Sequence, residues 1–155
     1  MPEKRAAPSR YQPIASTELE AGRDLKLGEF SSEPALSLSE ARIVLEKVLE
    51  TRAQQGFARE EADITTKMRD HLELFATFKD QAEAEGSGVL VSRGNLRGLE
   101  QFEQAQLKSL LPTCADEAKA LIPSLEKKCE DQSVDEEQLD EVCRELQKLK
   151  RQAEL

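Results

Sequence analysis

The sequence has no tryptophan, one tyrosine and five phenylalanines, so that aromatic side chains make up only 4% of its 155 residues. Proteins that hold single strands stack bases on aromatic platforms, and so few rings argue against that role. The single histidine, His71, borders an apolar stripe and reads as a boundary residue rather than a catalytic base. The three cysteines, Cys114, Cys129 and Cys143, are odd in number and far apart with no C-x-x-C pair, which speaks against a zinc or disulfide framework and suits a reducing compartment. No apolar run approaches the roughly 18 residues of a membrane span, and Met1–Tyr11 lacks the apolar core of a signal peptide, so a soluble intracellular protein is expected. Basic charge is short as well. Lys and Arg total 22 against 31 Asp and Glu, for a net charge of −9, whereas phosphate neutralisation needs clustered cations. Neither nucleic acid nor membrane is expected as a direct partner; a basic or apolar protein surface is.

What is present fits helices. With 38% hydrophobic and 34% charged residues, apolar material suffices for one face of each helix but not for a sheet buried on both sides. The length suits one domain with appendages. No catalytic pattern is legible: the acids are spread over solvated faces, G-x-S-x-G is absent, and no Cys and His stand at a credible spacing. The Glu85-Gly86-Ser87-Gly88 stretch lacks the Gly-Lys-Ser/Thr ending of a phosphate loop. No catalytic, cofactor-binding or metal-binding residue is assigned.

Residues 1–23 carry Pro2, Pro8 and Pro13 without apolar periodicity and are predicted to form a disordered arm. Their charges nearly cancel, leaving −10 on the rest of the chain. Residues 24–36 form a predicted extended segment in which Leu25-Lys26-Leu27-Gly28-Glu29-Phe30 alternates like a half-buried strand with no sheet of its own to join. The alternation predicts strand addition to a partner, with Gly28 hosting a bulge that returns Phe30 to the side of Leu27; the alternative is contact with the chain's own first helix. Residues 37–155 are predicted helical. Ser37-Leu38-Ser39-Glu40 is a capping box opening a helix whose Leu38, Ala41, Leu45, Val48 and Leu49 share a face and which Gly56 ends. A second helix, about Asp63–Lys79, carries the apolar stripe Ile64, Met68, Leu72, Phe75 and Phe78. A mobile connection is expected over about 80–95. From about 95 to 150 a compact module follows. It has Leu99, Phe102, Leu107 and Leu110 on one helix, Thr113 and Asp116 opening the next, and a bend at Pro123 filled by Leu121, Ile122 and Leu125. A last helix is capped by Ser133 and Glu136 and buries Leu139, Val142, Cys143, Leu146 and Leu149.

Three stretches are more specific than helix physics requires: Leu25–Phe30, Leu36-Ser37-Leu38-Ser39-Glu40-Ala41-Arg42, and Asp116–Leu125, which reads DEAKALIPSL. Together they resemble the family of fourth subunits of eukaryotic DNA-directed RNA polymerase II, collinearly from about Asp24 to Leu149. The resemblance implies an all-α fold whose 95–150 module is HRDC-like, and a non-catalytic stalk subunit in one-to-one complex with the polymerase's seventh subunit on core RNA polymerase II. In that family the OB-fold partner makes the nucleic-acid contacts, beside the RNA exit path. The nucleus is the implied location, with the cytoplasm as a second. Leu25, Leu27, Phe30, Leu38, Ala41 and Leu45 are the partner-binding residues expected. The readings that compete are a stalk subunit of another nuclear polymerase, an HRDC-like nucleic-acid-binding accessory, and a self-associating helical bundle.

Overall fold

The computed structural model describes residues 21–56, 62–94, 96 and 98–153. The described residues form helices and connections, with no strand among them. The order is a 3-10 helix at Gly28–Ser32, then α1 (Leu38–Gln54), α2 (Asp63–Phe75), α3 (Gln81–Arg93), α4 (Gln101–Leu110), α5 (Ala115–Leu121), α6 (Pro123–Glu130) and α7 (Glu136–Ala153). The all-α class is therefore as expected. Residues 1–20 of the arm expected at 1–23 lie outside the described residues, and its last residue, Arg23, is paired with Glu130.

Helix α1 starts where its capping box says it should: Ser37 accepts from the Glu40 amide, and the Glu40 carboxylate accepts from the Ser37 amide at 2.7 Å. It ends at Gly56, whose φ of +76° is the left-handed turn that a side chain would disfavour. The stretch expected as a loose connection is instead α3, opened by an Asp80 and Glu83 capping box that the glycines downstream had masked. Helix α3 lies against α7, and its C-cap Gly94 is required there, since a Cβ would collide with Val142.

Helix α2 stops four residues before the expected Lys79. Tertiary hydrogen bonds take over there. The Phe78 amide donates to buried Ser39 Oγ at 2.9 Å, Thr77 Oγ1 donates to the Ser109 carbonyl at 2.9 Å, and Lys150 reaches the Thr77 carbonyl at 2.8 Å. Phe78 thus enters the interior from an extended connection, fully buried, and not as the last rung of a helical stripe.

The main core lies among α3 to α7, where Leu107, Ile122, Leu125, Leu139, Cys143 and Leu146 exclude solvent. Pro123 opens α6 and pushes Ile122 out of helical geometry (φ −125°, ψ 88°), which bends the chain as predicted. Two of the residues assigned to this module do not fill it: Leu121 and Leu110 are exposed on their outer faces. The last helix begins later than expected. Ser133 is exposed, and Asp135 Oδ1 accepts from the Glu137 amide at 3.0 Å in the role assigned to Ser133. Cys143 is an inert core thiol, its pKa pushed up to about 12 by burial.

Candidate partner-binding surface

Ahead of α1, residues 21–36 fold back over the start of α4 and along α6. Leu25 is left-handed (φ +46°), the Leu27 amide turns back onto the Leu25 carbonyl at 2.9 Å, and the 3-10 helix follows. The alternating strand expected here is therefore absent. Carbonyls and amides of Leu25, Leu27 and Phe30 bond to one another locally, and Gly28 (φ +59°) serves the turn rather than a bulge. The segment is tied down mainly at its start, by Arg23 Nη2 to Glu130 at 2.6 Å and Lys127 Nζ to Asp24 at 2.8 Å. The hydrogen bond from Lys127 and its charge hold the Asp24 carboxyl below the usual carboxylate range. All four groups face solvent, where such pairs are screened and hold weakly.

Under this segment lies a cavity of about 640 Å³ whose apolar walls are Leu27, Phe30, Pro34, Ala35 and Phe102. Phe30 is 64% exposed, and Leu36 is also open to solvent. Leu25 lines a second space of about 350 Å³ with Arg23, Lys127, Lys128 and Ser133. Leu38, Ala41 and Leu45 belong to a different element: they are half-buried on α1, which packs against α2, α3 and α4. The six expected contact residues thus fall into two groups of three, and neither cavity joins them.

The position of α1 against α4 is fixed by a polar seam that sequence reading missed. Lys108 Nζ bonds Glu40 Oε1 at 2.6 Å, and the Leu38 amide donates to Ser109 Oγ at 3.1 Å. Burial pushes the Glu40 carboxyl up, but the bonds from Lys108 and Ser37 outweigh it and hold its pKa below the ordinary value. Between α4 and α6, fully buried Glu103 accepts from Ser124 Oγ and from Lys128 Nζ, each at 2.6 Å. Lys128 also donates to the Gly98 carbonyl at 2.7 Å. Gly98 is there because a Cβ would stand 2.6 Å from the Ser133 carbonyl oxygen.

The other feature missed is the outer face of the α1 and α2 pair. Ile64, Met68 and Phe75, members of the apolar stripe expected on α2, are 69%, 50% and 55% exposed, and Val44 and Val48 on α1 are exposed too. Only Leu72 of the α2 stripe is covered within the helix. The signal was in the sequence: α2 offers more apolar residues than α1 alone can cover. His71 is exposed on the same helix, its ring 4.7 Å from that of Phe75. No helix among the described residues is long and apolar enough to cross a membrane.

Residues 35–150, which hold α1 to α7 almost entire, match the family described as RNA polymerase Rpb4. A relative from Schizosaccharomyces pombe, DNA-directed RNA polymerase II subunit rpb4, is 37% identical over 118 residues, covering 74% of this chain and 84% of the relative. The chain belongs to the Rpb4 family. Two further members are similar over shorter stretches. DNA-directed RNA polymerase II subunit RPB4 of Saccharomyces cerevisiae is 40% identical over 79 residues, which are 51% of this chain and 32% of the relative. The Dictyostelium discoideum rpb4 is 39% identical over 62 residues, 40% of this chain and 38% of the relative. The match spans only about a third of each of these two. Leu38, Ala41 and Leu45 fall inside the stretch that matches the Rpb4 family, whereas Leu25, Leu27 and Phe30 precede it.

Proposed function

We propose that this chain is a non-catalytic subunit of RNA polymerase II that forms the stalk heterodimer with the seventh subunit and acts in the nucleus, in initiation and in handling RNA at the exit path. The observation that carries the proposal is the Rpb4-family match over residues 35–150, with a polymerase II subunit as a relative along most of both chains. The composition agrees, since an acidic chain poor in aromatics suits a scaffold better than a nucleic-acid reader. In this proposal the seventh subunit takes the residue 24–36 segment through Leu25, Leu27 and Phe30 together with the α1 face of Leu38, Ala41 and Leu45. The weak surface ion pairs that hold the segment down, and the open apolar walls beneath Phe30, support its exchange from the chain's own surface to the partner's.

Co-expression with the seventh subunit followed by size-exclusion chromatography tests the pairing, and Leu27→Asp tests the surface. A one-to-one complex with wild type and a clear loss of affinity with Leu27→Asp, at an unchanged melting temperature, is expected. A chain that elutes alone or only as a homo-oligomer beside the seventh subunit would refute the pairing. Wild-type affinity of Leu27→Asp would refute the assigned surface.

A further inference from the structure

Among the described residues, four places carry a Ser or Thr followed three residues later by an acid: Ser37 to Glu40, Thr77 to Asp80, Thr113 to Asp116 and Ser133 to Glu136. That spacing serves two chemistries. A hydroxyl engaged by the backbone is a helix cap or a turn; a hydroxyl free in solvent, with acids following it, is what a protein kinase with a basic substrate groove selects. The structure separates the four. Ser37 is buried and caps α1, Thr77 donates to the Ser109 carbonyl at 2.9 Å, and Thr113 donates to Glu117 at 2.5 Å. Ser133 is exposed in the turn between α6 and α7, and Asp135 has taken over the capping role, so its hydroxyl is not needed for the fold.

Ser133 has acids at the three positions Asp135, Glu136 and Glu137, all exposed. Gln132 before it has a φ of +55°, and for a kinase to read the segment extended the first turn of α7, the Lys119 to Glu136 pair, the bonds from the Ser133 and Val134 amides to the Lys128 carbonyl and the buried Val134 side chain must yield together in a local opening. Behind Ser133 lies the 350 Å³ space that Arg23, Lys127 and Lys128 also line, together with the carboxylates Asp24, Glu100 and Asp131. Lys128 is committed to buried Glu103, but Arg23 and Lys127 hold exposed carboxylates that a dianion displaces.

We propose that Ser133 is a phosphorylation site for an acidophilic protein kinase, and that Lys127 and Arg23 receive the phosphate. The kinase breaks the bond between the γ-phosphorus of ATP and the ADP oxygen and forms the bond from that phosphorus to Ser133 Oγ. The hydroxyl proton passes to the kinase's own base and ADP leaves. Because Arg23 and Asp24 anchor the segment ahead of α1, the phosphate competes directly with that anchorage.

The test treats the full chain with casein kinase 2 and ATP and maps the product by mass spectrometry. Phosphate on Ser133 is expected, with that phosphate lost in Ser133→Ala and the rate lowered roughly tenfold in Glu136→Gln, which weakens the charge match to the groove. Phosphorus NMR then follows the titration of the phosphate, whose midpoint is expected below that of the same sequence as a free peptide and restored in Lys127→Gln. A wild-type chain that stays unmodified at Ser133, or is modified only at other hydroxyls, overturns the site. A midpoint equal to that of the peptide overturns reception by Lys127 and Arg23. Complex formation with the seventh subunit, measured on the unmodified chain, is independent of either outcome.

Discussion

Leu121 and Leu125 stand on either side of Pro123, and only Leu125 contributes to the core. Leu125 is fully buried among α4, α5 and α7, whereas Leu121 is 45% exposed. Leu125→Ala should therefore cost about 2–5 kcal/mol in chemical denaturation, from lost transfer energy and the cavity left behind. Leu121→Ala should stay within about 0.5 kcal/mol of wild type. The proline and the bend were legible because Pro restricts the residue before it. Which flanking leucine turned inward was not, since that depends on where α4 and α7 lie. Glu103 makes the same point for polar residues. In the sequence it is one acid among many, and only the meeting of Ser124 and Lys128 on α6 makes its burial tolerable.

Elements were read correctly where local chemistry decides them and misread where a distant partner does. The Ser37 and Glu40 box is a contest among neighbouring residues, so α1 begins where those residues predict. The Ser133 to Glu136 spacing looks identical, yet the α7 cap is Asp135. The difference is tertiary: Val134 is drawn into the core, and the Ser133 amide donates to the Lys128 carbonyl at 2.9 Å, which fixes the turn before the helix can start. Asp135→Ala should cost about 0.5–2 kcal/mol, whereas Ser133→Ala should change stability by less than about 0.5 kcal/mol. Urea titrations of the two variants check this, and equal losses would return the cap to Ser133. Helix α3 failed as an expectation because Gly86 and Gly88 lower helix propensity. Packing against α7 holds it helical, and the close approach that needs a glycine is at its end, where a Cβ on Gly94 would collide with Val142.

For the whole molecule, charge and composition set the outlook. With a balance of −10 after residue 23, the isolated chain should show negligible affinity for single-stranded RNA at physiological salt, and binding should appear only with the seventh subunit present. Fluorescence anisotropy with a labelled oligonucleotide measures it; tight, salt-sensitive binding by the chain alone would contradict the scaffold reading. The sequence by itself determined the helical class, the start and end of α1, the bend at Pro123 and the inward face of α7. These rest on spacing, caps and proline geometry, all of which act within a few residues. Only the tertiary structure decided that Phe78 leaves the α2 stripe for the interior and that Ile64, Met68 and Phe75 stay outside. It also decided that residues 25–32 turn back on themselves rather than extend. Apolar periodicity tells which residues share a face, whereas the covering of that face depends on which other elements arrive there.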